Sequence, residues 1–118
     1  MRRTTVLKIP TYECRVVVIV TEDLKKEYQR LYRKHDMEEE DGDAEAMVFC
    51  PDMSLYYVIF DKQYLSHNSI AHECYHLVRY IKTDRDITDD EAGAWLMGHI
   101  SGYIYKFLQR KKFTIKHG

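Results

Sequence analysis

His72-Glu73-Cys74-Tyr75-His76 lies inside Ser69-Ile70-Ala71-His72-Glu73-Cys74-Tyr75-His76-Leu77-Val78-Arg79-Tyr80-Ile81, and this stretch decides how the chain reads. Ile70, Cys74, Leu77, Val78 and Ile81 recur at i, i+4, i+7/8 and i+11, a spacing that predicts a helix. Asn68 or Ser69 is the expected N-cap. On a helix, residues four apart sit about 40° apart around the axis and one turn up. His72 and His76 then flank the apolar stripe and point into one small volume. Two imidazoles so arranged can bind one metal ion, and Glu73 stands where it can take a proton from a water on that ion. This HExxH spacing is that of a zinc hydrolase with Glu73 as general base. Cys74, about 160° round from His72, should face the core and not the metal.

Two histidines leave a catalytic zinc one protein ligand short. Thr88-Asp89-Asp90-Glu91-Ala92-Gly93-Ala94-Trp95-Leu96-Met97-Gly98-His99 supplies the candidates. Glu91, at the start of a second long helix, is the expected third ligand. Asp90 is the nearest substitute, and His99 is a further one. A competing role for Glu91 is local, because Thr88-x-x-Glu91 also reads as a capping box. Gly93, Gly98 and Gly102 are costly inside a helix. Close approach of the motif helix is the expected compensation, and Gly98→Leu would then overpack.

Length and composition bound the remaining choices. A chain of 118 residues, 45% hydrophobic and 31% charged, builds one soluble domain, taken as residues 1–118. A formal net charge of −1 gives no reason to expect nucleic acid or a membrane surface as partner. No apolar run reaches the ~18 residues of a membrane span. The basic start lacks the apolar segment of a signal peptide. Cys14, Cys50 and Cys74 are odd in number and unpaired in spacing, so free thiols in a reducing cytoplasm are expected.

Cys14-Arg15-Val16-Val17-Val18-Ile19-Val20 reads as a buried strand. Thr21 is expected to cap a helix over residues 22–35, with Leu24, Tyr28, Leu31 and Tyr32 inward. Residues 36–45 are acidic at seven of ten positions and read as a mobile loop. Two strands follow as a hairpin, Ala46-Met47-Val48-Phe49-Cys50 and Leu55-Tyr56-Tyr57-Val58-Ile59-Phe60. After the motif helix comes a long helix over about residues 89–109. Residues 110–118 form a basic tail, in which Phe113-Thr114-Ile115 could add a short strand. The order β-α-β-β-α-α makes an α+β domain, a small sheet packed on the HExxH helix and the long C-terminal helix.

The motif paired with Asp90-Glu91-Ala92-Gly93-Ala94-Trp95-Leu96-Met97-Gly98 resembles a minimal zincin metallopeptidase of the gluzincin kind. Over residues 46–105 the chain is similar to small metallopeptidases of phages and mobile elements, and more distantly to the ImmA/IrrE peptidase domain. The resemblance implies a peptidase and one Zn2+, with His72, His76 and Glu91 as ligands and Glu73 as catalytic base. A peptide or protein substrate is expected along the strand Leu55-Tyr56-Tyr57-Val58-Ile59-Phe60, added by backbone pairing. Tyr80, Tyr103, Tyr105 and His99 are the candidate donors to the oxyanion. Two alternatives carry over from the residues alone: a zinc-binding but non-catalytic phage or host interaction protein, and an interaction domain without metal.

Overall fold

A computed structural model describes residues 1–38 and 44–118. The chain is mixed α+β, as expected, with strands β1 (Arg2–Ile9), β2 (Cys14–Thr21), β3 (Ala46–Asp52) and β4 (Leu55–Asp61). Its helices are α1 (Leu24–Lys34), α2 (His67–Asp84) and α3 (Asp90–Arg110). The element order is therefore β-β-α-β-β-α-α, one strand more than expected. In sequence, Met1-Arg2-Arg3-Thr4-Thr5 reads only as a basic start; in the fold, Arg2–Ile9 is a strand. It pairs antiparallel with β2 from Arg2↔Thr21 to Ile9↔Cys14. Only Leu7 and Ile9 of this strand are buried, as suits a polar edge.

The sheet order is β1-β2-β4-β3. β2 and β4 run parallel at the centre and β3 closes the hairpin on β4. This corrects the expected substrate position. The strand Leu55-Tyr56-Tyr57-Val58-Ile59-Phe60 is hydrogen-bonded on both sides and has no free edge to offer a peptide. The open edge of the hairpin is β3. Its register slips between Phe49 and Asp52, where Pro51 cannot donate to a ladder, a defect that edge strands tolerate.

Alternation sorts the central strands into two cores. Val16, Val18, Val20, Tyr56, Val58 and Phe60 face α2 and α3, whereas Ile19, Leu55, Tyr57 and Ile59 face α1. Burial on both faces explains why β2 and β4 read as unbroken apolar runs. Residue Asp23, not Thr21, caps α1, accepting the Lys26 amide at 3.1 Å. The expected acidic loop spans residues 36–45, of which 39–43 lie outside the described residues.

Two polar ties fix the layers. Glu27 of α1 receives Arg2 Nε at 2.9 Å and Arg30 Nη2 at 2.8 Å, joining α1 to the start of β1. Burial would raise the Glu27 carboxyl, but the hydrogen bonds and charges of Arg30 and Arg2 outweigh it and hold the group below its ordinary range. At the opposite end of the sheet, Arg85 donates to Tyr12 O at 2.6 Å, to the Tyr56 hydroxyl at 2.9 Å and to Met53 O. Tyr56 in turn donates to Asp84. The C-terminus of α2 is thereby anchored to the sheet.

All three helices stop in the same way. Asp36, Asp86 and Lys112 take positive φ just past α1, α2 and α3. The next amides reach back, Met37 to Tyr32 O, Ile87 to Lys82 O and Phe113 to Leu108 O. These are Schellman turns without glycine.

The glycines of α3 contradict the expected close helix crossing. A Cβ added at Gly98 or Gly102 meets nothing within 4 Å. Only Gly93 has a neighbour, Lys82 Nζ at 3.1 Å. Gly98→Ala should accordingly stabilise the protein by about 0.5–1 kcal/mol through helix propensity. A lowered urea midpoint would show that the site is packed after all. Glu27→Gln should destabilise at pH 7 by about 1–2 kcal/mol, toward the lower figure because both arginines are half exposed. A carboxyl whose folded pKa is depressed contributes stability above its unfolded pKa, about 4.3, and loses it as pH falls through the folded value. Denaturation curves of the two proteins should therefore converge in acid. A gap that is unchanged at about pH 2 would assign the effect to packing.

Candidate metal centre

Helix α2 starts one residue before the first expected cap. Ser66 accepts the Ser69 amide at 3.0 Å, and the Ser69 hydroxyl receives the Ser66 amide at 3.0 Å, a capping box between two serines. A second tie holds this end. The tail folds back so that the His67 amide donates to Lys116 O and the Lys116 amide to Leu65 O, both at 2.9 Å. Phe113 and Ile115 pack on the core there, and the expected extra strand reduces to one parallel bridge, Ser66↔Lys116.

Ile70, Cys74, Leu77 and Ile81 are fully buried against the sheet. That contact sets the rotation of α2 and carries His72 and His76 out on the flank toward β3. Their Nε2 atoms are 3.0 Å apart. Zinc–imidazole bonds are about 2.0–2.1 Å long, so a separation of this size would let one ion reach both nitrogens. Tyr80, one turn on, lies parallel to the His76 ring at 6.2 Å. Cys74 faces inward as expected, and burial pushes its thiol up to about 12.

Glu73 is 6% exposed and turns to the edge of the core. Burial raises its carboxyl above the ordinary range, partly offset by neighbouring His72. It makes no hydrogen bond among the described residues. Glu73 and His72 together line a cleft of about 410 Å³, walled by Glu45 and Ala46 at the start of β3, by Asn68 and Ser69 of α2, and by Lys116. A desolvated carboxyl in a cleft beside two converging imidazoles is the arrangement of an acid–base group.

Glu91 does not join this site. Its side chain is exposed in the first turn of α3, where its amide donates to Asp89, the residue that caps the helix in place of Thr88. α3 docks on the other flank of α2, where Asp90, Gly93, Ala94 and Met97 meet Tyr75, Val78, Arg79 and Lys82. Gly93 is level with Lys82, about 9 Å along the axis from His76 at 1.5 Å per residue. Asp90 faces that same groove, and His99 stacks on Trp95 at 4.7 Å. Among the described residues no three His, Cys, Asp or Glu side chains gather as a metal site. The two imidazoles fit a zinc ion; the expected third ligand does not.

The other candidate donors are engaged elsewhere. Tyr103 bonds Thr5 Oγ1 at 2.7 Å and Val6 O at 2.9 Å, and Tyr105 bonds His67 Nδ1 at 2.8 Å. Of these candidates, Tyr80 is the one whose ring lies against a motif histidine, His76. Sequence reasoning missed Glu45 and Lys116 as cleft residues. Glu45 was read as loop, and Lys116 belongs to a tail whose return no local pattern announces. The three thiols are free, Cys14 and Cys74 buried and Cys50 half-buried. No described helix is long and apolar enough to cross a membrane.

Ser66→Ala should cost about 1 kcal/mol through loss of the cap and fray the turn that leads to His72. Amide hydrogen exchange at residues 67–70 should accelerate; unchanged protection there would show that the tail alone holds the helix start. Comparison of the chain with protein-family profiles, curated proteins and solved structures found no match.

Proposed function

We propose that the protein is a zinc-dependent peptide hydrolase in which His72 and His76 hold the ion and Glu73 is the general base. One observation carries the reading: two imidazole nitrogens 3.0 Å apart stand on α2 beside a buried carboxyl, and that carboxyl opens on the cleft that His72 lines. The zincin resemblance extends from this motif, although Glu91 stands outside the site. Glu45 is the other carboxylate in the cleft wall. Its exposed side chain would have to turn inward to complete the ligand set.

When bound, zinc supplies an acidified water and polarisation of a carbonyl. The chain's own residues would do the rest. Glu73, desolvated and uncommitted, accepts the proton and returns it to the leaving amine. Tyr80, beside His76, can donate to the developing oxyanion. The edge of β3, with Ala46 in the cleft wall, offers backbone groups to an extended peptide, the role first expected of β4.

A non-catalytic zinc protein would share the ligands but have no use for a desolvated carboxyl beside them. Glu73→Gln discriminates. It keeps the size and hydrogen-bonding capacity of the side chain but cannot take a proton. Cleavage of a peptide library, read by mass spectrometry, should fall about 10²–10⁴-fold while zinc affinity stays nearly constant. Equal cleavage by both proteins would remove Glu73 from the chemistry, and no cleavage by either would leave the non-catalytic alternative. Glu45→Gln should weaken zinc binding if that residue completes the set.

A further inference from the structure

The His72–Glu73 cleft is not isolated. Toward β1, at the same end of the sheet, lies a second cleft of about 630 Å³ walled by Arg3, Lys62, Gln63, Lys111, Lys112 and Lys116. Lys116 also lines the first cleft, so the two share a wall residue. The chain brings these cations together from three places. Arg3 comes from the start of β1, and Lys62 from the 3-10 turn Lys62–Tyr64 that follows β4. The lysines of the tail are delivered by the Schellman stop of α3 and the return to Ser66.

Two carboxylates share this wall and both are engaged. Glu22 meets the chain's amino terminus at 3.4 Å and Lys62 at 3.8 Å, and Asp61 accepts the Gln63 amide at 2.9 Å. Lys116 Nζ donates to Gln63 O at 2.5 Å. Among the described residues, Arg3, Lys111, Lys112 and Lys116 have no carboxylate partner. The chain's net charge is −1, so this surplus is local. A concave surface with one sign of charge concentrates ligands of the other.

We infer that the basic cleft holds the acidic side chains of the same peptide whose backbone enters the His72–Glu73 cleft, so that the substrate is an acidic peptide segment. The inference rests on the peptide-hydrolase reading above. Lysine ammonium groups on flexible stems act as adaptable point charges toward carboxylates. A single-stranded nucleic acid would need aromatic faces on which to stack its bases. The one aromatic of this cleft, Phe113, is half-buried and lies against Phe107 with ring centroids 6.5 Å apart.

The test is fluorescence anisotropy of labelled peptides with the full chain: a Glu/Asp-rich peptide, a Ser/Gly-rich one, a Lys/Arg-rich one of equal length, and a single-stranded oligonucleotide. The acidic peptide should bind tightest, and its affinity should fall as salt rises. Lys111→Glu with Lys112→Glu should weaken it about tenfold, and the Gln pair at the same positions should fall between. Both positions are exposed, and circular dichroism checks that each variant is folded. Acidic and neutral peptides binding equally, or affinity indifferent to these substitutions, would overturn the inference. So would tightest binding of the oligonucleotide, which would reassign the cleft to nucleic acid. The readout requires neither metal nor cleavage. Specific binding of the acidic peptide without any hydrolysis would therefore count against the hydrolase reading alone.

Discussion

The seating of α2 on the sheet is the contact on which the rest of the molecule depends. Ile70, Cys74, Leu77 and Ile81 are fully buried there. Each large apolar side chain removed from water contributes about 1.5–3 kcal/mol, as an upper estimate. Rotating the helix by one residue, about 100°, would forfeit most of that, so its azimuth is fixed. Everything chemical follows from the azimuth. The histidines emerge on the β3 flank, and Glu73 is caught at the rim, where it is desolvated yet opens on a cleft. Arg85 and Asp84 hold one end of the helix, and the serine capping box with the returning tail holds the other.

The same constraint disposes of Glu91. α3 can bury Leu96, Ile100, Ile104 and Phe107 only by lying beside α2 over the sheet, and the flank open to it is the one away from β3. A carboxylate in the first turn of α3 is then on the wrong side of α2, level with its C-terminal turn, and does not meet His72 and His76. The groups that share the histidines' surroundings come from β3 and the tail. Separation of the two flanks leaves the candidate centre facing the sheet's edge strand, with the basic cleft adjoining it.

Much of this was legible in the chain. Unbroken β-branched and aromatic runs located β2 and β4, and helical patterning located the helices, because each buries a continuous apolar set. The imidazole pair and the inward Cys74 follow from helix geometry alone. What escaped detection has physical reasons. β1 puts Arg2, Thr4, Val6 and Lys8 on its exposed face and buries only two side chains, so its pairing, not its composition, makes it a strand. The helix ends carry Asp36, Asp86 and Lys112 where glycine would have marked them. Gly98 and Gly102 looked like packing devices, yet they face open space, and the structure offers no packing reason for them. The positions of Glu45 and Lys116 depend on contacts with Asp61 and with Gln63, Leu65 and His67, all distant in sequence, which no local pattern encodes.

The central claim is that His72 and His76 are a metal-chelating pair. Nitrogen-detected NMR of the six imidazoles during a zinc titration addresses it without reference to any substrate. The account predicts that the Nε2 resonances of His72 and His76 move together and saturate near one equivalent of zinc, while His35, His67, His99 and His117 stay in place. Saturable zinc binding that leaves His72 and His76 unmoved, or that shifts only one of them, would contradict it.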